Sequence, residues 1–114
     1  MNQNKNKLID LFIGNISNAI VHEILEKAID IEEIRIKYNK EIITSFDIAK
    51  HYRNKINPAY KPFSSKDQVE IKKKVMNKVR NELQSRILRG YKNINIESTE
   101  ETVDKFLRKT NIIE

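Results

Sequence analysis

Residues 9–25 read IDLFIGNISNAIVHEIL, and their apolar side chains recur at steps of three and four. This spacing places one set of side chains on a single side of an α-helix: Ile9, Phe12, Ile13, Ile16, Ile20 and Ile24. The stripe is widened further by Leu8, Leu11, Val21 and Leu25. Because so broad a stripe needs cover on more than one side, we predict a helix from about Lys5 to Ala28 at the centre of the fold.

The same helix carries small and polar side chains that would let another helix approach closely. Gly14 and Asn18 are four residues apart, with Ser17 beside them. In one interpretation, other helices of this chain cover the whole stripe. In the other, the helix meets a second copy or another protein, and a homodimer is expected. The predicted dimer interface then consists of Phe12, Gly14, Ser17, Asn18 and Val21.

The rest of the chain also has a helical pattern, since two glycines and two prolines in 114 residues are too few for a turn-rich β protein. A second helix is predicted after an N-cap at Asp30, with a break at residues 38–41. A third helix is predicted from residues 44–45 to Asn57, because Pro58 disfavours helix at the residue before it.

A loop is predicted at residues 57–65, followed by a long fourth helix. Ser64 or Ser65 caps this helix, which ends near Arg89, and Gly90 supplies the stop. Its predicted core stripe is Val75, Met76, Val79, Leu83 and Ile87. Near the middle of this stripe lies Arg86. We expect it to run along the edge of the core and pair with Glu82, rather than to enter a subunit contact.

Residues 91–96 are predicted to form an extended loop anchored by Ile94 and Ile96, because a single strand would lack a partner. Ser98 and Glu101 predict a capping box. The last helix that follows buries Val103, Phe106 and Leu107. The chain is therefore predicted to be a single all-α domain, residues 1–114, with four to five helices in a compact bundle and long first and fourth helices.

Composition excludes several kinds of chemistry. The chain has no cysteine, which removes disulfides, thiolate metal sites and cysteine nucleophiles. We expect a cytoplasmic protein, because neither a signal peptide nor a long uninterrupted apolar run is readable. No phosphate-binding glycine loop, GxSxG or HExxH motif is present. We therefore expect a protein that is not an enzyme, with no cofactor and no membrane partner.

The two histidines are the remaining candidates for metal ligands. His22 lies four residues before Glu26, and His51 four residues after Asp47, so each pair shares one helix face. A carboxylate–histidine site in a bundle needs further carboxylates in register, and the sequence does not supply them. We therefore predict no metal site and interpret both pairs as solvated helix residues.

Positive charge is concentrated in one part of the chain. Residues 61–92 contain ten Lys or Arg residues against Asp67, Glu70 and Glu82, in a chain of formal net charge +6. Such an excess favours an acidic partner such as nucleic acid. When Val79 is placed at the centre of the apolar side, basic residues fall on both flanks of the fourth helix. Lys73 and Arg80 are on one flank, and Lys74, Lys78 and Arg89 are on the other.

Before this helix, residues 51–66, HYRNKINPAYKPFSSK, alternate basic and aromatic side chains. This alternation suits single-stranded nucleic acid, where bases stack on rings and phosphates pair with cations. In the alternative interpretation, the segment only connects two helices, and its aromatic rings pack onto the core. The predicted nucleic-acid-binding residues are Arg53, Lys55, Tyr60, Lys61, Phe63, Lys66, Lys73, Lys74, Lys78, Arg80, Arg89 and Lys92.

Residues 44–53, TSFDIAKHYR, resemble the first helix of a helix-turn-helix unit. Arg53 stands where such units commonly carry glycine, and Pro58 and Pro62 interrupt the second helix. Only the helix after Ser65 could then reach a major groove. From the basic fourth helix and the loop before it, we predict non-catalytic binding of DNA or RNA through phosphate contacts. The alternative is a protein-interaction or assembly module, a homodimerising bundle with no nucleic-acid role.

Overall fold

The computed structural model describes residues 3–58 and 61–114, with side chains from Lys5 onward. Across these residues the chain forms helices and no strand, which confirms the all-α prediction. The elements are α1 (Gln3–Lys27), α2 (Glu32–Ile56), α3 (Ser65–Leu88), a 3₁₀ turn (Ile96–Ser98) and α4 (Thr99–Lys109). Three long helices and one short helix thus make up the described bundle.

Helix α1 lies at the centre and packs against the other three α-helices. Phe12, Ile16 and Ile20 are fully buried, as the apolar stripe predicts. The Lys5–Lys27 part is also the one described segment that is long and apolar enough, by length and composition, to cross a membrane. That test does not separate a membrane helix from the core helix of a soluble protein, and half of the most apolar window is buried inside this bundle.

Helices α1 and α2 form an antiparallel pair joined by polar contacts along their length. The Nδ2 of Asn18 donates to the Oγ of Ser45 at 2.7 Å, and the ring of His22 lies edge-on to that of Tyr38, 5.4 Å between centroids. The predicted break at residues 38–41 is wrong, because Tyr38 and the following Ile42 pack against the core and hold α2 in one piece. The N-cap prediction at Asp30 is also wrong, since the helix begins after Ile31.

Helix α3 begins where the sequence predicts. Ser64 is its N-cap, and the Ser64 Oγ accepts a hydrogen bond from the Asp67 backbone nitrogen at 3.1 Å. The helix ends at Leu88, and Gly90 has a φ of 101°, a conformation that favours glycine. Val75, Met76, Val79 and Leu83 are buried as predicted, but Ile87 is 39% exposed. The helical repeat places Ile87 at the edge of the stripe rather than inside it.

The segment between α3 and α4 is a loop that bends at Asn93, where φ is 66°, and it packs Ile94 and Ile96 against the core as predicted. The predicted capping box at Ser98 is wrong. The Ser98 Oγ donates instead to the Asn95 backbone oxygen at 2.8 Å, and the 3₁₀ turn leads directly into α4. Helix α4 buries Val103, Phe106 and Leu107, and the Phe106 ring meets Phe46 of α2 edge-on.

Candidate nucleic-acid interface

The side of α3 that points away from the core is polar and basic. Val79 is fully buried, and the residues on the opposite side of the helix are exposed. We call this surface the outer face of α3. Its exposed members are Lys73, Lys74, Asn77, Lys78, Arg80, Asn81 and Gln84. Within residues 73–84 this face combines four cations with three side-chain amides and no carboxylate. One turn earlier, the exposed carboxylate of Glu70 lies in the same outward direction, opposite Val79.

The four cations of the outer face are not neutralised within the fold. Across the described ranges, none of Lys73, Lys74, Lys78 and Arg80 has a carboxylate within the 4.0 Å of an ion pair. The basic residues of α3 that face inward behave differently. Lys72 reaches Glu100 at 2.8 Å, and Arg86 reaches Glu82 at 2.9 Å. Unpaired charge is thus confined to the side that faces solvent.

Three acids lie near this face without forming ion pairs with it: two at its edges, and Glu70 on its centre line at the N-terminal end. Asp10 borders a surface cleft of about 450 Å³ between α1 and α3, together with Lys74, Asn77 and Lys78. On the other flank, the hydrogen bond and charge of Lys72, with a smaller effect of Arg80, lower the pKa of the Glu100 carboxyl. Glu70 is exposed one turn before Lys74. Between residues 73 and 81, α3 itself carries four exposed cations and no carboxylate.

The loop before α3 contributes less to this surface than predicted. Lys61 of the loop is exposed, as is Lys66 in the first turn of α3. Phe63, however, is 5% exposed, and its ring lies under the Arg53 guanidinium, 4.7 Å from centroid to Cζ. The prediction that Phe63 stacks on a base is therefore wrong, because the ring belongs to the core. The predicted contact of Tyr60 lies outside the described residues. Aromatic rings consequently add little to the described part of this surface.

Arg53 is the second predicted contact that the fold turns inward. Its side chain is 1% exposed, and the predicted phosphate contact is wrong because the guanidinium is taken up inside the protein. The Nε donates to the Thr110 backbone oxygen at 2.8 Å, and Nη1 donates to the Asn57 Oδ1 at 2.6 Å. The Nη2 donates to the backbone oxygens of Asn111 at 3.2 Å and Lys61 at 3.4 Å.

These contacts make Arg53 a structural residue. It joins the end of α2, the loop before α3 and the residues after α4. Burial lowers the pKa of its guanidinium, which nonetheless stays charged at neutral pH because an arginine starts from so high a value. Backbone and amide oxygens therefore solvate a buried cation where water cannot.

The remaining predicted contacts lie at the ends of helices. Lys55 is exposed in the last turn of α2, and Lys92 is exposed after α3. Arg89 is exposed and lies 3.6 Å from the Glu82 carboxylate, so that its charge is partly balanced. Arg86 pairs with the same carboxylate and also lies over the Tyr91 ring at 5.3 Å, which confirms its predicted place at the edge of the core.

The residues predicted at a dimer interface are covered by helices of the same chain. Phe12, Val21 and Ser17 are 0%, 3% and 5% exposed, so the prediction is wrong for these three in this fold. Asn18 is half-buried and bonds to Ser45 of α2. Gly14 alone is exposed, beside a cleft of about 250 Å³ between α1 and α3. Asn18 thus meets a neighbouring helix of the same chain, whereas Gly14 faces open space.

The histidine pairs do not converge on one point. The Glu26 carboxylate is bonded to Arg35 at 3.0 Å, and the Nδ1 of His22 lies 2.8 Å from the Asn18 backbone oxygen. Asp47 lies 3.4 Å from the Lys50 ammonium. Among the residues with described positions, no three His, Asp or Glu side chains come together as metal ligands would.

Three amides of the outer face were not predicted as site residues. Asn77 and Asn81 lie between the two basic flanks, and Gln84 follows one turn later. The signal that could have found them is the helical wheel, on which both asparagines point almost directly away from Val79. A search for charged side chains does not find these amides, because they are neutral.

Comparison of the chain with protein-family models, with curated proteins and with solved structures finds no match.

Proposed function

We propose that this protein binds nucleic acid without catalysing a reaction on it. The contacts are ion pairs between phosphates and the outer face of α3, extended by Lys66 in the first turn of α3 and by Lys61 of the preceding loop. The observation that carries the proposal is the set of four exposed, unpaired cations within residues 73–80 on one helix face, a stretch that contains no carboxylate. Several cations on one rigid element release several counterions together, which is the main source of affinity for nucleic acid.

Spacing supports this proposal. Lys73 and Arg80 are seven residues apart, which corresponds to about 10.5 Å along the helix axis. Lys74 and Lys78 are four residues apart, or about 6 Å along the same axis. Phosphates along a nucleic-acid strand recur on the same scale, so that each flank of the helix can contact two of them.

Charge reversal on each flank tests the proposal. The variants Lys73→Glu/Arg80→Glu and Lys74→Glu/Lys78→Glu are compared with wild type by fluorescence anisotropy, using labelled single-stranded and duplex oligonucleotides. We expect each variant to bind at least about tenfold more weakly, because attraction to two phosphates becomes repulsion.

The matched control is Lys37→Glu/Lys40→Glu, which makes the same change in net charge on the exposed surface of α2. It should bind nearly as well as wild type. Equal losses in all three variants would mean that only the total charge matters. Wild-type affinity in both α3 variants, or no binding by the wild-type protein, would rule out the proposal.

A protein-interaction or assembly role is the second candidate, and it involves a different surface. Ile36 and Ile43 of α2 are 48% and 62% exposed, and their separation of seven residues places them on one face of the helix. Exposed apolar side chains on one face are typical of contact surfaces. Sedimentation of wild type and Ile36→Ser/Ile43→Ser distinguishes the candidates. Assembly that this variant abolishes, without nucleic-acid binding, would favour the second one.

A further inference from the structure

The order of side chains around α3 is as informative as their charge. With Val79 taken as the inward direction, Asn77 and Asn81 each lie within about 20° of the outward direction. Lys73 and Arg80 fall on one side of this pair, and Lys74 and Lys78 on the other. Over residues 73–84 the outer face therefore has an amide row along its middle and a basic row along each flank, and Glu70 continues the middle row one turn before Lys74.

This arrangement has the dimensions of a helix in a groove. An α-helix with its side chains is about 10–12 Å across, and the major groove of B-form DNA is about 12 Å wide. A helix lying there has base edges ahead of it and one phosphate backbone on each side. Neutral amides would face the bases while the basic flanks face the two backbones.

The amides have the right chemistry for that position. A carboxamide offers one acceptor and two donors, which match the adenine N6 amino group and N7 acceptor in the major groove. Neither Asn77 nor Asn81 makes a side-chain hydrogen bond to another described residue. Their donors and acceptors are thus available to a ligand.

We infer that α3 docks in the major groove of B-form duplex DNA, with Asn77 and Asn81 at the base edges and the basic flanks at the phosphates of both strands. This inference rests on the proposed function and specifies its ligand. Double-stranded RNA fits poorly, because its major groove is deep and narrow. Single strands need aromatic rings for stacking, and the described outer face carries none.

Two binding comparisons test the major-groove inference separately from the proposed nucleic-acid-binding function on which it rests. Wild-type protein is titrated with a duplex DNA, a duplex RNA of the same sequence and the single DNA strand, all at one salt concentration. We expect the duplex DNA to bind at least about tenfold more tightly than either alternative. If an RNA or single strand binds as tightly and the α3 charge reversals abolish that binding, the function stands and the inference fails. If none of the three binds, both fail.

The role of the amides is tested on a duplex selected from a random pool. Replacing adenine by 7-deazaadenine removes the N7 acceptor from the major groove and leaves base pairing intact. We expect this replacement to weaken wild type about fivefold or more and to leave Asn77→Ala/Asn81→Ala unaffected.

Asn39→Ala/Asn54→Ala, two exposed amides of α2, is the matched control and should respond as wild type does. Selection that enriches no sequence would overturn the base-edge assignment. The assignment would also be overturned if 7-deazaadenine weakened binding by the Asn77→Ala/Asn81→Ala variant as much as it weakened binding by wild type.

Discussion

The Nε of Arg53 donates a hydrogen bond to the backbone oxygen of Thr110 across 2.8 Å, and so links two residues 57 positions apart in the chain. The same guanidinium also holds Asn57 of the loop that follows α2. Without this side chain, the loop before α3 and the residues after α4 would lose their common anchor. The structural support of the proposed interface therefore depends on a buried cation that is not itself part of that interface.

Arg53→Met is expected to lower the free energy of unfolding by about 2–4 kcal/mol, because the apolar stem remains while buried carbonyl oxygens lose their donors. Urea unfolding followed by circular dichroism measures the change. Lys55→Met, at an exposed position in the same last turn of α2, is the control and should change stability by less than about 0.5 kcal/mol. Equal effects of the two substitutions would show that the Arg53 contacts contribute no more than ordinary surface contacts.

The burial of Arg53 could not be predicted from sequence, and the reason is physical. Its neighbours in residues 51–66 are basic and aromatic, which locally indicates a surface. The partners that hold it, Thr110 and Asn111, come 57 and 58 residues later. No periodicity or composition encodes a contact at that separation. The same limit applies to residues 38–41, where packing of Tyr38 against α1 outweighs a weak local preference.

The features that could be predicted follow from the helical repeat. The α1 stripe and the buried Val79 set the inward side of each helix, so the exposure of Lys73 and Arg80 follows directly. The repeat also fixes Asn77 and Asn81 between the flanks. Which helix covers Phe12, by contrast, depends on how α2 and α3 meet α1. Periodicity identifies a buried face, and it does not identify what buries it.

The affinity for duplex DNA is expected to fall steeply with salt. Four phosphate contacts predict a slope of log K against log salt concentration of about −3.6. Lys74→Ala/Lys78→Ala removes two of these contacts and should reduce the slope to about −1.8. Anisotropy titrations between about 50 and 200 mM salt measure both slopes. A wild-type slope near zero would contradict phosphate pairing, and an unchanged slope in the variant would place the contacts elsewhere.

The contact between α3 and α4 should depend on pH. The Lys72 ammonium lies 2.8 Å from Glu100 and 3.0 Å from Asp104. The hydrogen bonds that Lys72 donates to the Glu100 and Asp104 carboxylates raise the pKa of Lys72, and Lys72 in turn lowers the pKa of Glu100. A carboxyl with a lowered folded pKa stabilises the protein above its unfolded pKa of about 4.3, and this contribution is lost as the pH falls through the folded value.

Wild type should therefore be more stable than Lys72→Met at pH 7, and the difference should shrink as the pH falls below about 4. Urea midpoints at several pH values measure it. Lys73→Met, at the neighbouring exposed and unpaired position, serves as the control and should show no such dependence. A difference between wild type and Lys72→Met that stays constant down to acid pH would mean that packing of the lysine stem, rather than its charge, stabilises this contact.

The two glycines should respond in opposite ways to the same substitution. Gly14 is exposed inside α1, and a Cβ there would meet no heavy atom within 4 Å, so Gly14→Ala is expected to stabilise the protein by about 0.5–1 kcal/mol. Gly90 has a φ of 101°, and Gly90→Ala should destabilise it by about 1 kcal/mol or more. Thermal unfolding at low protein concentration measures both. If Gly14→Ala instead lowers stability, the methyl group meets atoms that this chain does not supply, and a second copy at α1 becomes the explanation to pursue.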